Sequence, residues 1–136
     1  MNINPKLLKD VNEQLTLLNN KLDNKQEKGT TLWTNNNPSS AFSEQAINNI
    51  NLTDYQIIKI VFSRFTGNIQ LTQDFVFDNS DLDCEIIYSD YDSGNVRSWN
   101  RSVTLKTTSV EFGNCTINGT TTNTGLIPYK IIGYKN

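Results

Sequence analysis

The sequence predicts an all-β fold, an antiparallel, jelly-roll-like β-sandwich preceded by a short N-terminal α-helix. Three observations predict it. Apolar residues recur in steps of three and four over residues 6–25, the spacing of one helix face. From residue 29 onward the alternation becomes two-fold, and the composition turns to Thr, Ile, Val, Phe, Tyr and Asn. Turn signals then return roughly every ten residues with no further helical pattern between them, the rhythm of a sandwich. With 136 residues, 36% of them hydrophobic, there is material for one core but not two. Residues 1–28 are therefore expected to form a helical oligomerisation or attachment segment, and residues 29–136 the β-sandwich domain.

In the helical segment, Leu8, Val11, Leu15, Leu18 and Leu22 form an a/d seam, with Asp, Asn, Gln, Lys and Glu between them. Pro5 falls where a first helical turn tolerates it, and Gly29, after the charged run 25–28, is expected to end the segment. The seam is narrow, two apolar positions per seven, which fits self-association better than packing on a globular surface. Leu7 and Leu17 lie off the seam, so a helix folded against its own β domain is the alternative. Leu at a with Val or Leu at d does not set the number of helices.

In the β domain, strands are predicted over residues 45–51, 55–65, 68–77, 84–89, 96–107, 109–112, 115–118 and 126–134. Phe65-Thr66-Gly67-Asn68-Ile69 reads as a hairpin with a Gly-Asn turn. In the second strand Ile58, Ile60 and Phe62 point one way and Ile57, Val61 and Phe65 the other. Both faces are apolar, so the second is expected to lie under a loop or another protomer. The last strand repeats this, with Ile127, Tyr129 and Ile131 against Leu126, Ile132 and Tyr134.

Composition narrows the chemistry. A net charge of −2 offers no basic face to nucleic acid or to an anionic membrane. The absence of histidine removes the side chain best suited to proton transfer near neutral pH and the commonest zinc ligand. No apolar run has the length of a signal peptide or membrane span, so synthesis in a bacterial cytoplasm is expected, with Cys84 and Cys115 as free, buried thiols rather than a bridge. Asn51, Asn100, Asn114 and Asn118 match a glycosylation pattern by chance in so Asn- and Thr-rich a chain.

No Gly-rich phosphate loop, nucleophile elbow or Cys/His cluster occurs. The carboxylates Asp74, Asp78, Asp81, Asp83, Glu85, Asp90 and Asp92 remain, and two of them facing each other could act on a glycosidic bond. The favoured reading of Asp78-Asn79-Ser80-Asp81 is a turn capped by its own side chains. Calcium is a better rival, from Asp78, Asn79, Asp81 and Asp83 or from Asp90, Asp92 and Asn95, but neither run completes the twelve-residue calcium-loop pattern. The expectation is a protein without catalytic residues, cofactor or metal. Residues 88–101 are the richest in groups suited to binding, and Tyr91, Asp92, Asn95, Trp99 and Arg101 are the candidate ligand-binding residues. Tyr91 is expected at an exposed loop tip, whereas Trp99 shares parity with Val103 and Leu105 on a core-facing side.

Three segments carry a family resemblance. Leu32-Trp33-Thr34-Asn35-Asn36-Asn37-Pro38-Ser39-Ser40-Ala41-Phe42, Thr108-Ser109-Val110-Glu111-Phe112-Gly113 and Ile127-Pro128-Tyr129-Lys130-Ile131-Ile132-Gly133-Tyr134-Lys135 resemble parts of one known domain. That domain closes tail-fibre and minor structural proteins of phages and prophages in low-GC Gram-positive bacteria. The resemblance spans residues 32–135 and implies a β-sandwich head on a trimeric coiled-coil fibre, displayed on the virion and engaging host-surface saccharide. It also implies copies of the chain and other virion proteins as partners, the latter through the N-terminal segment, and a structural role for Trp33 where the domain begins. It brings no catalytic residue. The similar domains usually finish long polypeptides, whereas here one helix precedes the head. A purely structural capsid fibre, decoration or collar component is therefore the alternative.

Overall fold

The structure, a computed structural model, describes residues 4–25, 29–65 and 70–135, the side chains of residues 22–25 and Phe65 aside. The helical period becomes α1 (Pro5–Lys25). Asn4 caps it, its Oδ1 accepting from the Lys6 amide at 3.0 Å, and Pro5 occupies the first helical position, where its missing N–H leaves no bond unmade. Every described side chain of α1 is exposed, among them Leu8, Val11, Leu15 and Leu18. The helix therefore does not bury its seam on the β domain. No helix among the described residues is long and apolar enough to cross a membrane.

The two-residue period becomes β1 (Thr30–Thr34), β2 (Gln45–Asn48), β3 (Ile57–Phe65), β4 (Gln70–Val76), β5 (Leu82–Asp92), β6 (Asn95–Leu105), β7 (Ser109–Ile117), β8 (Thr120–Thr121) and β9 (Gly125–Tyr134). They form two antiparallel sheets, one in the order β1-β9-β3-β4 and the other β2-β7-β6-β5, with β8 paired to β7. The expected all-β sandwich with an N-terminal helix is the fold observed. Ile58, Ile60 and Phe62 of β3 and Ile131 of β9 join Trp99, Val103 and Leu105 of β6 and Val110 and Phe112 of β7 in one core. Fully burying such a side chain contributes roughly 1.5–3 kcal/mol. A register slip of one residue would turn the whole set outward, so burial fixes the pairing. Trp33 enters this core half-buried, its ring 6.3 Å from that of Phe42, which meets Phe112 edge-on at 5.6 Å.

Several predicted boundaries move, for identifiable reasons. Residues 109–112 and 115–118, expected as two strands, are the single strand β7. Gly113 and Asn114 make a bulge where the β6 register shifts between Arg101 and Val103, and a Cβ on Gly113 would lie 2.1 Å from the Ser102 hydroxyl. β1 and β8 were not expected, and β5 runs to Asp92 rather than residue 89. The turn at residues 66–69 lies outside the described residues, although β3 and β4 pair antiparallel as such a hairpin requires. Pro128 sits in a central strand only because the β3–β9 register shifts between Val61 and Phe62, where a ladder N–H is dispensable.

The second face of β3 is dressed by the chain's own amphipathic side chains. Val61 and Ser63 are buried there, the Lys59 ammonium lies 5.2 Å from the centre of the Tyr134 ring, and Lys130 lies 5.1 Å from that of Tyr129. Gly29 has a role beyond ending the helical segment, since a Cβ on it would come within 2.5 Å of Ile132. Cys84 and Cys115 are free, Cys115 buried as expected and Cys84 only half-buried.

Candidate functional site

Residues 88–101 form most of a hairpin rather than a long loop. β5 and β6 pair from Leu82↔Leu105 out to Asp92↔Asn95, and only Ser93 and Gly94 turn the chain. Both turn residues have positive φ, 50° and 85°, the backbone that a two-residue connection needs to match strand twist. Tyr91 is thus not in a loop but on the last rungs of a ladder, opposite Val96.

Alternation divides the hairpin into two faces. Tyr88, Asp90, Arg97 and Trp99 share the inner one. Arg97 grips Asp90 with two bonds, Nε to Oδ1 at 2.8 Å and Nη2 to Oδ2 at 2.6 Å, while the Trp99 indole N–H donates to Oδ1 at 3.2 Å. The Arg97 guanidinium also lies 5.4 Å from the centre of the Trp99 ring and 3.4 Å from an Asp92 carboxylate oxygen. The Arg97 hydrogen bond holds the Asp90 carboxyl below its ordinary range despite partial burial, and the same bond raises Arg97. From β3, Arg64 donates to the Tyr88 hydroxyl and stacks 5.0 Å from its ring centre. These contacts fasten the inner face to the body of the domain.

The outer face is left to solvent. Tyr91, Val96 and Ile87 are 71, 66 and 63% exposed on it, whereas Asp92 and Asn95, paired with each other at the parity of Asp90 and Arg97, are exposed at the tip of the opposite face. Between the apolar groups run Ser89 opposite Ser98, and Ile87 stands opposite Asn100, whose amide donates to Glu85 at 3.0 Å. The arrangement sets one aromatic ring on the same face as the hydroxyls of Ser89 and Ser98, the Asn100 amide and the Glu85 carboxylate, on a backbone held by the full ladder. Such a surface can stack on the apolar face of a ring and bond the polar groups at its edge.

Of the five candidate ligand-binding residues, the structure exposes Tyr91, Asp92 and Asn95 on the last two rungs of the hairpin, Tyr91 on the outer face and the Asp92–Asn95 pair on the opposite one. Trp99 and Arg101 must be withdrawn from the set. Trp99 is 3% exposed, packed where Gly125 leaves room, since a Cβ there would lie 2.1 Å from the indole. Arg101 is fully buried, donating to the carbonyls of Leu126 at 2.8 Å, Gly113 at 2.6 Å and Gly125 at 3.1 Å. Its guanidinium also lies 5.5 Å from the Phe42 ring centre, and burial pulls its pKa down to about 10, which leaves it charged at neutral pH. Trp99 packs on Gly125 and Arg101 bonds Gly125 and Leu126, where Leu126 has a φ of 44°, an uncommon backbone for a branched residue.

Most of the candidate carboxylates have local partners. Asp78 accepts from the Ser80 amide at 3.1 Å, as expected of a self-capped turn, and Asp83 accepts from the Thr104 hydroxyl at 2.7 Å. Among the described residues no three Cys, Asp or Glu side chains converge as a metal site. The Asp90–Arg97 pair and the exposed Ile87 and Val96 were not anticipated. Their signal was present: taking Ser93-Gly94 as a two-residue turn fixes every pairing between residues 82 and 105. No protein-family model, no curated protein and no solved structure matches this chain.

Proposed function

We propose that this is a non-enzymatic phage virion protein, a fibre or appendage component whose β-sandwich head binds host-surface saccharide through the tip of the β5–β6 hairpin. The observation that carries the binding role is Tyr91, a 71% exposed ring on a paired strand, with Asp92 and Asn95 exposed on the next rung at the tip. A ring held by a hydrogen-bonded ladder loses little conformational freedom on stacking, which favours it as a contact residue. The virion role rests on the resemblance of residues 32–42, 108–113 and 127–135.

A second reading, a structural virion protein without a host ligand, is favoured by Ile87 and Val96, whose exposed apolar side chains suit contact with a neighbouring protein. A glycan array probed with wild-type and Tyr91→Ala protein separates the two. Retention of wild-type protein on saccharides and its loss in the variant, at unchanged melting temperature, supports attachment. Failure of the wild-type protein to bind any host-envelope saccharide overturns it.

A further inference from the structure

We infer that the open edge of β5 takes up an extended, partly basic strand of another protein. This stands apart from the saccharide reading, which uses the outer face of the hairpin, and holds or fails without it. Of the four edge strands, β2, β1 and β4 have four, five and seven residues, and β1 is broken by a register shift. β5 has eleven, pairs with β6 without a shift, and contains no Pro, Gly or Lys. Short length, bulges, Pro and Lys are the devices that ordinarily close an edge to further pairing. An inward charge is another, but the inward Asp90 is neutralised by its two bonds to Arg97.

The direction of the edge's backbone groups follows from β6. The Ser98 carbonyl accepts from the Asn118 amide at 2.9 Å, and the Ser98 amide donates to Asn118 Oδ1 at 2.9 Å, so both groups face β7. Residue pairs in an antiparallel ladder alternate between bonded and non-bonded. Ser98↔Ser89 is therefore a non-bonded pair, and the Ser89 N–H and C=O point away from β6. With a period of two, the same holds for Asp83, Glu85, Ile87 and Tyr91. These groups line the edge in one row, and among the described residues no other backbone group bonds to them.

Charge identifies the occupant. β5 carries Asp83, Glu85, Asp90 and Asp92, and no Lys or Arg stands between Arg64 and Arg97. A second copy of β5 would bring like charge to like, which disfavours self-pairing. Asp83 and Glu85 hydrogen-bond neutral partners, the Thr104 hydroxyl and the Asn100 amide, which leaves negative charge at the edge for an incoming strand to meet. Both are exposed and share the outer parity of Ile87, Ser89 and Tyr91. An antiparallel newcomer, the arrangement found throughout both sheets, meets Tyr91 first and Asp83 last. Its matching residues, at alternate positions, are apolar, hydroxyl, apolar, basic and basic. Ladder bonds then supply affinity and these side chains specificity.

Amide hydrogen exchange on the full chain tests this with the synthetic peptide Val-Thr-Thr-Thr-Val-Thr-Lys-Thr-Lys. In the free protein the amides of Glu85, Ile87 and Ser89 are expected to exchange fast and those of Ile86 and Tyr88 slowly. The peptide is expected to slow the first set at least about tenfold. N-methylation of its second Val and first Lys, whose amides face β5, is expected to abolish the effect. N-methylation of the two Thr residues beside that Val is expected to leave it. The Asp83→Lys/Glu85→Lys variant, at unchanged melt, is expected to lose this peptide and to accept its counterpart with Glu in place of Lys. Slow exchange of Glu85, Ile87 and Ser89 in the free protein overturns the inference, because a second copy would already cover the edge. Absence of protection at millimolar peptide overturns it as well. An equal effect of both N-methylated peptides overturns strand pairing, and binding unchanged by charge reversal overturns the basic partner.

Discussion

At Arg101, three backbone carbonyls stand where a buried cation usually finds a carboxylate. Its side chain ties β6 to the bulge of β7 and to the start of β9, the segment that carries the strained Leu126. Arg101→Met fills similar space but strands those carbonyls, and is expected to cost about 3 kcal/mol or more in urea unfolding. A loss below about 1 kcal/mol would contradict this role. Asp90 makes a pH-dependent contribution of definite sign. Its pKa is lowered from 3.8, chiefly by the Arg97 hydrogen bond, so on acidification the unfolded chain takes up the proton first. The stabilisation is whole above pH 3.8 and is lost as pH falls through the lowered folded value. Asp90→Asn is expected to melt below wild type at neutral pH, with the gap closing below pH 3.8. A gap independent of pH would exclude the ionised carboxylate as its cause.

The hairpin of β5 and β6 is the element on which the candidate site depends, and its turn is a point of controlled weakness. Gly94 has a φ of 85°, and only the Tyr91 hydroxyl, at 4.0 Å, stands near an added Cβ. Gly94→Ala is therefore expected to cost about 1 kcal/mol by backbone strain alone, measured as a lowered melting temperature. An unchanged melt would mean that the turn relaxes without penalty. Most strands were legible from alternation, because a half-buried strand must place apolar residues two apart. The hairpin was less legible, since Ser-Gly between Asp92 and Asn95 reads as one more stretch of polar loop. Parity also reached further than charge allowed. The alternation that put Trp99 inside with Val103 and Leu105 puts Arg101 inside too, and all four are buried. A lone arginine in that series read as a surface group because its partners are carbonyls from β7 and β9, distant in sequence and invisible to local pattern.

Across the whole molecule, two parts have separate supports, a helix with an uncovered seam and a sandwich with a continuous core. If copies join through α1, several hairpin tips act on one polymer, and linkage raises apparent affinity by roughly 10²–10⁴ without new contacts at any tip. Weak binding by each head would then suffice for attachment. Deletion of residues 1–28 is expected to leave the melt of the head in place while weakening retention on a saccharide-coated surface by at least about tenfold. Equal retention would assign the binding to single heads. The most direct test of the central claim is amide chemical-shift mapping of the head while purified host-surface polysaccharide is added. Perturbations are expected to cluster on the outer face and tip of the hairpin, around Ile87, Ser89, Tyr91 and Val96 and the tip pair Asp92 and Asn95. Perturbations confined to another face, or none at saturating polysaccharide, would contradict it.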